Sequence, residues 1–389
     1  MCGTSRVRRL TSPALEFIDN PIRTEYPFHV GKCNLDLAQR PSILRGQYQP
    51  LLSPWERRPF AGGCFRLWFI GIIRSMTNIR LGTRGSVLAR RQADWTTDAL
   101  QKLGCDVEIV VIKTSGDFRQ DGPIGSIGAP GVFTKELQRT LLDKTIDVAV
   151  HSLKDLPTEP LDGLSLGAVP KRGPHRDVFV SNTAKTIDKL PHGCVIGTGS
   201  LRRKTQILYR FGDRFRIEDV RGNVETRLRK LDEGRIDALL LAEAGLVRLG
   251  LSDRIASFLE PPVFLPAVGQ GALGLEIRCG DTETAAVIAP LNDSATFAAV
   301  RAERAMLRKL QGGCIAPIAA LGTVVNDQLT LLGRILSLDG SKMFEQTASA
   351  ALSELPESLG IRLAESLLEN GADEIINDLV RQRTPNHEP

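Results

Sequence analysis

Two doubly wound α/β units followed by an α+β unit form the architecture that this sequence predicts. Three observations lead there. Short apolar or β-branched segments alternate with helical segments of ~10–15 residues, the signature of parallel sheet. The alternation runs twice, first from Asn78 and again from about Arg176. After Asp293 it gives way to a long helix, a hairpin pair and two closing helices. A length of 389 residues accommodates two or three domains.

In the first series, "NIRLGT" is a short strand and "SVLARRQADWTTDALQKLG" a helix. Ser86 caps that helix, Gly104 ends it, and Val87, Leu88, Trp95, Leu100 and Leu103 form its expected apolar stripe. "DVEIVVIK" is a buried β-branched strand, "VFTKELQRTLLDK" an amphipathic helix, and "IDVAVHS", "LSLGAV" and "DVFVS" are further strands. The second series is "CVIGTG" (strand), "SLRRKTQILYRF" (helix), "RFRIEDV" (strand), "VETRLRKLDEG" (helix) and "IDALLLAEAG" (strand into turn). "PAVGQGALGLEIR" is a strand that returns to the first sheet. "SATFAAVRAERAMLRKL" is the long helix, and "LTLLGRILS" with "SKMFEQTASAA" the hairpin pair. The expected divisions are 76–172 plus 270–290, 173–266 and 293–389, with 1–75 outside them.

Residues 1–75 show no sustained period. We expect an upstream, disordered extension, with Met76 as the functional start; an intact mass beginning at Met1 would contradict this. A targeting segment is the alternative, which five acidic residues and scattered prolines fit poorly. This extension also accounts for the net charge. It carries 11 Lys+Arg and 5 Asp+Glu, so of the total of +5, the remaining 314 residues sum to −1. A neutral body gives no bulk attraction to nucleic acid. The longest apolar run, Leu67 to Ile73, is seven residues, far short of the ~18–20 that span a bilayer. Seven cysteines without a C-x-x-C pair argue against a disulfide framework or a zinc site, and few histidines argue against other metal sites. A reducing, cytoplasmic setting is expected.

Arginines follow the ends of the predicted strands: Arg84, Arg202, Arg203, Arg221 and Arg248, with Arg227 two turns into the helix after Arg221. Ligands of open α/β sheets bind beyond the carboxyl ends of strands, and arginine suits carboxylates and phosphates. Any one of them is more simply a surface charge; six at one topological level favour a polyanionic ligand. "GTGSLRRKT" lacks the last glycine of a dinucleotide loop and "IGAPGVFTK" lacks the G-K-[ST] of a phosphate loop, so nucleotide binding ranks low. "HSLKDLPTE" puts Lys154 and Asp155 at a strand's carboxyl end, where they are an active-site pair or an ordinary turn. His151 beside them is read as structural. Cys314, after Gly312 and Gly313, is a buried filler or a reactive anchor on a mobile tether, and the residues alone leave both open.

The blocks "TRGS", "VFTKEL", "AVHSLKDLPT", "GTGSLRRK", "RGNVETRLRKL", "AEAGLVRLG", "LPAVGQGALG" and "AERAMLRKLQGGCIAPI" occur in order. Together they resemble the porphobilinogen deaminase (hydroxymethylbilane synthase) family, from about Asn78 to about Val380. The resemblance implies two domains like type II periplasmic binding proteins, with a cleft between them, and a third domain holding a small antiparallel sheet. It implies a transferase that condenses four porphobilinogen units into hydroxymethylbilane on a dipyrromethane cofactor. By the same resemblance Cys314 carries the cofactor through a thioether and Asp155 is catalytic. Lys154, Ser86, Ser200, Arg202, Arg203 and Arg227 bind the cofactor; Arg84, Phe133, Arg221, Arg248 and Gln270 bind substrate. A cytoplasmic monomer that passes its product to uroporphyrinogen-III synthase is expected. One departure stands out: Ser126 and Pro130 occupy places where many members have lysines, with Lys113 or Lys135 as candidate substitutes. The rival readings are a non-catalytic bilobal anion binder and an inactive homologue.

Overall fold

The computed structural model describes residues 77–113, 134–310 and 316–383. The first series comprises β1 (Asn78–Arg84), α1 (Val87–Lys102), β2 (Asp106–Ile112), α2 (Lys135–Leu142), β3 (Val148–Ser152) and β4 (Leu164–Ala168). The second comprises β5 (Asp177–Val180), β6 (Val195–Gly197), α3 (Leu201–Phe211), β7 (Arg216–Glu218), α4 (Val224–Asp232), β8 (Ala238–Ala242), α5 (Glu243–Arg248) and β9 (Ser257–Leu259). The chain continues through β10 (Leu273–Arg278), α6 (Thr282–Ile288) and α7 (Ser294–Lys309). It ends with β11 (Ile318–Val325), β12 (Gln328–Leu336), β13 (Met343–Ala351), α8 (Pro356–Leu367) and α9 (Asp373–Arg383).

These strands form two five-stranded sheets and one three-stranded sheet among the described residues. The first has the order β2-β1-β3-β10-β4 and the second β7-β6-β8-β5-β9. In each, the first three strands are parallel, and the fourth position is taken by an antiparallel strand, β10 or β5. Alternation in sequence predicts parallel pairing throughout. The expected return of "PAVGQGALGLEIR" to the first sheet is met by β10, and what alternation does not reveal is that it enters antiparallel, between β3 and β4. β3 and β8 sit inside their sheets and are almost continuously buried, which their Val, Ala and Leu content allows.

Helix α1 corrects one expectation. Val87 and Trp95, placed in the apolar stripe, are exposed; the buried face is Ala89, Gln92, Ala93, Thr96 and Leu100. These recur at helical spacing, and their small side chains let the helix lie close on the sheet. Ser86 does cap it, accepting from the Ala89 amide at 3.3 Å, and Gly104 follows with φ +86. The expected turn after β8 is instead the short helix α5.

The third sheet is an antiparallel meander, β11-β12-β13. Its β12–β13 hairpin has unbroken register from Gln328 opposite Ala351 to Leu336 opposite Met343. β11 adds a strand to the predicted pair. Helices α7 and α8 cover this sheet around Met306, Leu331, Leu363 and Leu367. Each such buried leucine contributes about 1.5–3 kcal/mol. The helices approach through Gly360, where a Cβ would lie 2.2 Å from the Ala302 carbonyl.

Candidate active site

Parallel pairing sends the carboxyl ends of β1 and β3 to the same edge of the first sheet. Arg84 ends β1, and beyond β3 a single 3-10 turn, Leu153–Asp155, carries the Lys-Asp pair. Arg84, Ser86, Gln92, His151, Ser152 and Asp155 line one pocket at this edge. The Asp155 carboxylate is exposed and accepts no hydrogen bond among the described residues. Lys154 is different. Its surface is only partly reachable by water, yet protein atoms surround the ammonium on all sides. Burial lowers its pKa to about 8; Asp155 partly opposes this, while Arg203 reinforces it.

The second sheet meets this edge with its own strand ends. Ser200 caps α3, accepting from the Arg203 amide at 3.5 Å, and the first turn of α3 carries Arg202 and Arg203. Both guanidiniums are buried and share the wholly buried Asp177 at the start of β5, at 2.6 and 2.8 Å. Arg202 also donates to the Leu265 carbonyl at 2.6 Å, Arg203 to that of Leu240 at 3.0 Å. Gln270 closes the cluster, donating to Asp177 at 2.9 Å and to the His175 carbonyl at 2.8 Å. Burial alone would raise the Asp177 pKa; the two arginines outweigh it and hold the carboxyl well below its usual range.

The six strand-end arginines therefore differ in kind. Arg202 and Arg203 are tied to Asp177. Arg221 is partly exposed and pairs with Asp219 at 2.8 Å. Arg227 and Arg248 are half-buried, with one backbone partner each, Gly222 and Gly271, both at 2.8 Å. Burial lowers the Arg227 pKa to about 10, with Arg203 adding to the drop and Asp155 opposing it. Burial likewise lowers that of Arg248. Both remain charged at neutral pH, in places where an arriving carboxylate would relieve the desolvation. Lys154 and Arg203, like Arg227 and Asp155, interact electrostatically across the two sheets, so these side chains form one cluster. Phe133, Cys314, and the loop with Ser126 and Pro130 lie outside the described residues; Lys113 and Lys135 are both exposed.

Sequence reasoning missed the supports. Asp177 has no local signal, since it begins an ordinary strand. His151 bonds the buried Glu276 at 3.0 Å, and Gln138 donates to the same carboxylate at 2.9 Å. Glu303, wholly buried on α7, accepts from Arg172 at 2.5 Å, Gly269 N at 2.7 Å and Gly322 N at 2.8 Å. Its spacing from Ala299, Ala302 and Met306 puts it on the buried face of α7, a legible clue. A larger cavity lies elsewhere, between α3 and β12, lined by Gln206, Tyr209, Val263 and Arg334. Its buried cation, Arg334, is already bonded to Glu345, Gln206 and two carbonyls, and the other cation of its lining, Arg210, is exposed and lies beside the Phe211 ring.

The fold is two α/β units and an α+β unit, with cationic side chains clustered at the strand ends of the first two. Residues 79–286 match the family model "Porphobilinogen deaminase, dipyromethane cofactor binding domain", and residues 297–369 match "Porphobilinogen deaminase, C-terminal domain". A porphobilinogen deaminase of Brevibacillus brevis is 46% identical over 306 residues, covering 78% of this chain and 98% of its own. One from Syntrophotalea carbinolica is 46% identical over 313 residues, covering 80% and 99%. The chain belongs to the porphobilinogen deaminase family. It is a transferase acting on porphobilinogen, with a dipyrromethane cofactor. The solved methionine binding protein MetQ aligns with 55% of this chain at 13% identity and a TM-score of 0.38, a level that carries no argument.

The described residues fit that cofactor. Its rings bear acetate and propionate groups, and the cleft offers an ammonium and half-buried guanidiniums without a matching number of free carboxylates.

Proposed function

We propose that Asp155 is the catalytic carboxylate of this porphobilinogen deaminase, and that the cationic side chains around it hold the carboxylates of substrate and cofactor. The enzyme joins four porphobilinogen units head to tail into hydroxymethylbilane, releasing ammonia at each addition. Among the described residues of the cluster, the Asp155 carboxylate accepts no hydrogen bond. Placed beside a substrate pyrrole, it stabilises the positive charge left as ammonia departs. Lys154, Arg203 and Arg227 supply the opposite charge for ring carboxylates near Asp155, with Arg84, Arg221 and Arg248 further along the cleft. Arg202 and Gln270 contribute by holding Asp177, and through it Arg203, in place. Ser86 and Ser200 shape helix N-termini, which themselves favour anions. When bound, dipyrromethane supplies the primer on which the chain grows; Cys314 is its anchor, and Phe133 packs near the substrate ring.

The observation that carries this reading is the Lys154–Asp155 pair: a desolvated ammonium next to an exposed carboxylate, neither with a hydrogen bond among the described residues. The purified protein is expected to exceed its polypeptide mass by two pyrrole units and to redden with an acidic aldehyde reagent. Cys314→Ser is expected to lose both signals. Normal mass and no porphobilinogen turnover in the wild type would end the catalytic reading.

No helix among the described residues is long and apolar enough to cross a membrane. The same proposal includes a cytoplasmic monomer, hydroxymethylbilane passing to uroporphyrinogen-III synthase, and domain divisions at 172/173, 266–270 and 290–293. Light scattering of the loaded enzyme tests the monomer; limited proteolysis tests the divisions.

A further inference from the structure

The turn that carries Asp155 is seated on the first unit by the Leu153 amide, which donates to the Ala272 carbonyl at 3.0 Å, and by the buried side chains of Leu153 and Leu156. Its outer half, Asp155 to Pro157, has less to hold it. The turn closes one backbone bond, Leu156 N to Leu153 O at 3.2 Å, and Pro157 behind it has no N–H to give. With no hydrogen bond to its carboxylate, Asp155 points wherever residues 153–157 direct it. Support comes from the third unit. Arg304 on α7 donates Nη1 to the Leu156 carbonyl at 2.9 Å and Nη2 to the Pro157 carbonyl at 2.6 Å. A planar guanidinium across two successive carbonyls fixes orientation as well as distance. Its neighbour Glu303 anchors α7 to Arg172 and to the Gly269 amide, just before β10. The helix is thus seated on the first unit by two adjacent side chains. The same helix leads, within five residues of its last turn, to Cys314 in the chain.

We propose that Arg304 is a positioning residue for the reaction: it clamps the Leu156–Pro157 backbone so that Asp155 meets the reacting end of the chain growing from the third unit. This rests on the reading of Asp155 as the catalytic carboxylate.

The test uses cofactor-loaded enzyme with Arg304→Gln, Arg304→Lys and, as control, Arg301→Gln, which removes the α7–α8 pair with Glu357 and the contact with the Phe297 ring and leaves the 153–157 turn's bonds in place. Arg304→Gln is expected to carry the cofactor, to lose ~10- to 100-fold in kcat, and to keep KM within about twofold, as small misplacements of reacting groups do. Arg304→Lys regains part of the loss, since an ammonium reaches one carbonyl at a time. Arg301→Gln matches the wild type. Loaded Arg304→Gln with wild-type kcat overturns the proposal. Should that variant not fold, Arg304→Lys decides. Faster hydrogen exchange at the Leu156 amide with reduced kcat supports the clamp, and unchanged exchange overturns it. Full turnover in Asp155→Asn would remove the underlying reading instead, whatever the Arg304 variants do.

Discussion

Asp155 and Asp177 are both aspartates beside arginines and a lysine, yet they sit in opposite circumstances. Asp177 is wholly buried, accepts bonds from Arg202, Arg203 and Gln270, and cannot turn toward anything else. Asp155 lies on the surface of the cleft and accepts none among the described residues. The buried carboxylate organises cations; the open one is available to a cationic reaction centre. Residue type near a cationic cluster says little about role. The number of bonds already made to the carboxylate says a great deal.

The sharpest way to break this comparison is to neutralise each carboxylate in turn. Asp155→Asn is expected to lower kcat by ~10²–10⁴-fold, the usual range for a positioned acid–base group, while its melting temperature stays at the wild-type value. Steady-state turnover and calorimetry on one sample check both halves. Asp177→Asn should do the reverse first: leaving two buried guanidiniums without their counter-charge costs about 3–5 kcal/mol, read by urea unfolding. An Asp177→Asn protein as stable as the wild type would mean that the buried cluster is not a structural unit.

A change remote from both carboxylates sets the scale. Gly360→Ala forces a Cβ against the Ala302 carbonyl and should cost about 1–3 kcal/mol by overpacking α7 on α8. Per unit of stability lost, its effect on turnover should be far smaller than that of Asp155→Asn. Equal losses of both in the two variants would erase the distinction.

The finest test concerns Lys154. In cofactor-free Cys314→Ser protein its ammonium should titrate near pH 8, against an ordinary 10.5. Between those values the unfolded chain binds more protons than the folded one. Stability therefore rises with pH across that window, and the full penalty is present below it. Bound carboxylates should move the midpoint upward in the loaded enzyme. NMR titration of labelled lysine reads both; a midpoint of 10.5 without cofactor would show that the ammonium is not desolvated.

Much of this was legible before any coordinates. Alternating strands and helices located most elements, and Ser86 caps α1 as expected; the equivalent caps Ser200 and Asn223 are seen in the structure. The Lys154–Asp155 pair and the strand-end arginines were visible because cleft residues follow strands directly. The apolar stripe of α1 was misread, since small buried residues such as Ala89 and Ala93 carry weak hydrophobic signal beside Trp95. β11, Ile318–Val325, gives a weak strand signal because Ala319, Ala320 and Gly322 interrupt its β-branched residues.

The sequence by itself determined local matters: caps, strand ends, the change of pattern after Asp293, and the eight blocks that mark the family. Each depends on residues close together in the chain, where φ/ψ preference and side-chain spacing act directly. Only the tertiary structure decided that Arg202 and Arg203 are bound to Asp177 and that Arg221, Arg227 and Arg248 take other partners. It alone turned β10 antiparallel between β3 and β4, and brought Arg304 to a loop 147–148 residues away in the chain. Those outcomes depend on charge neutralisation and burial between distant segments, which no local pattern encodes.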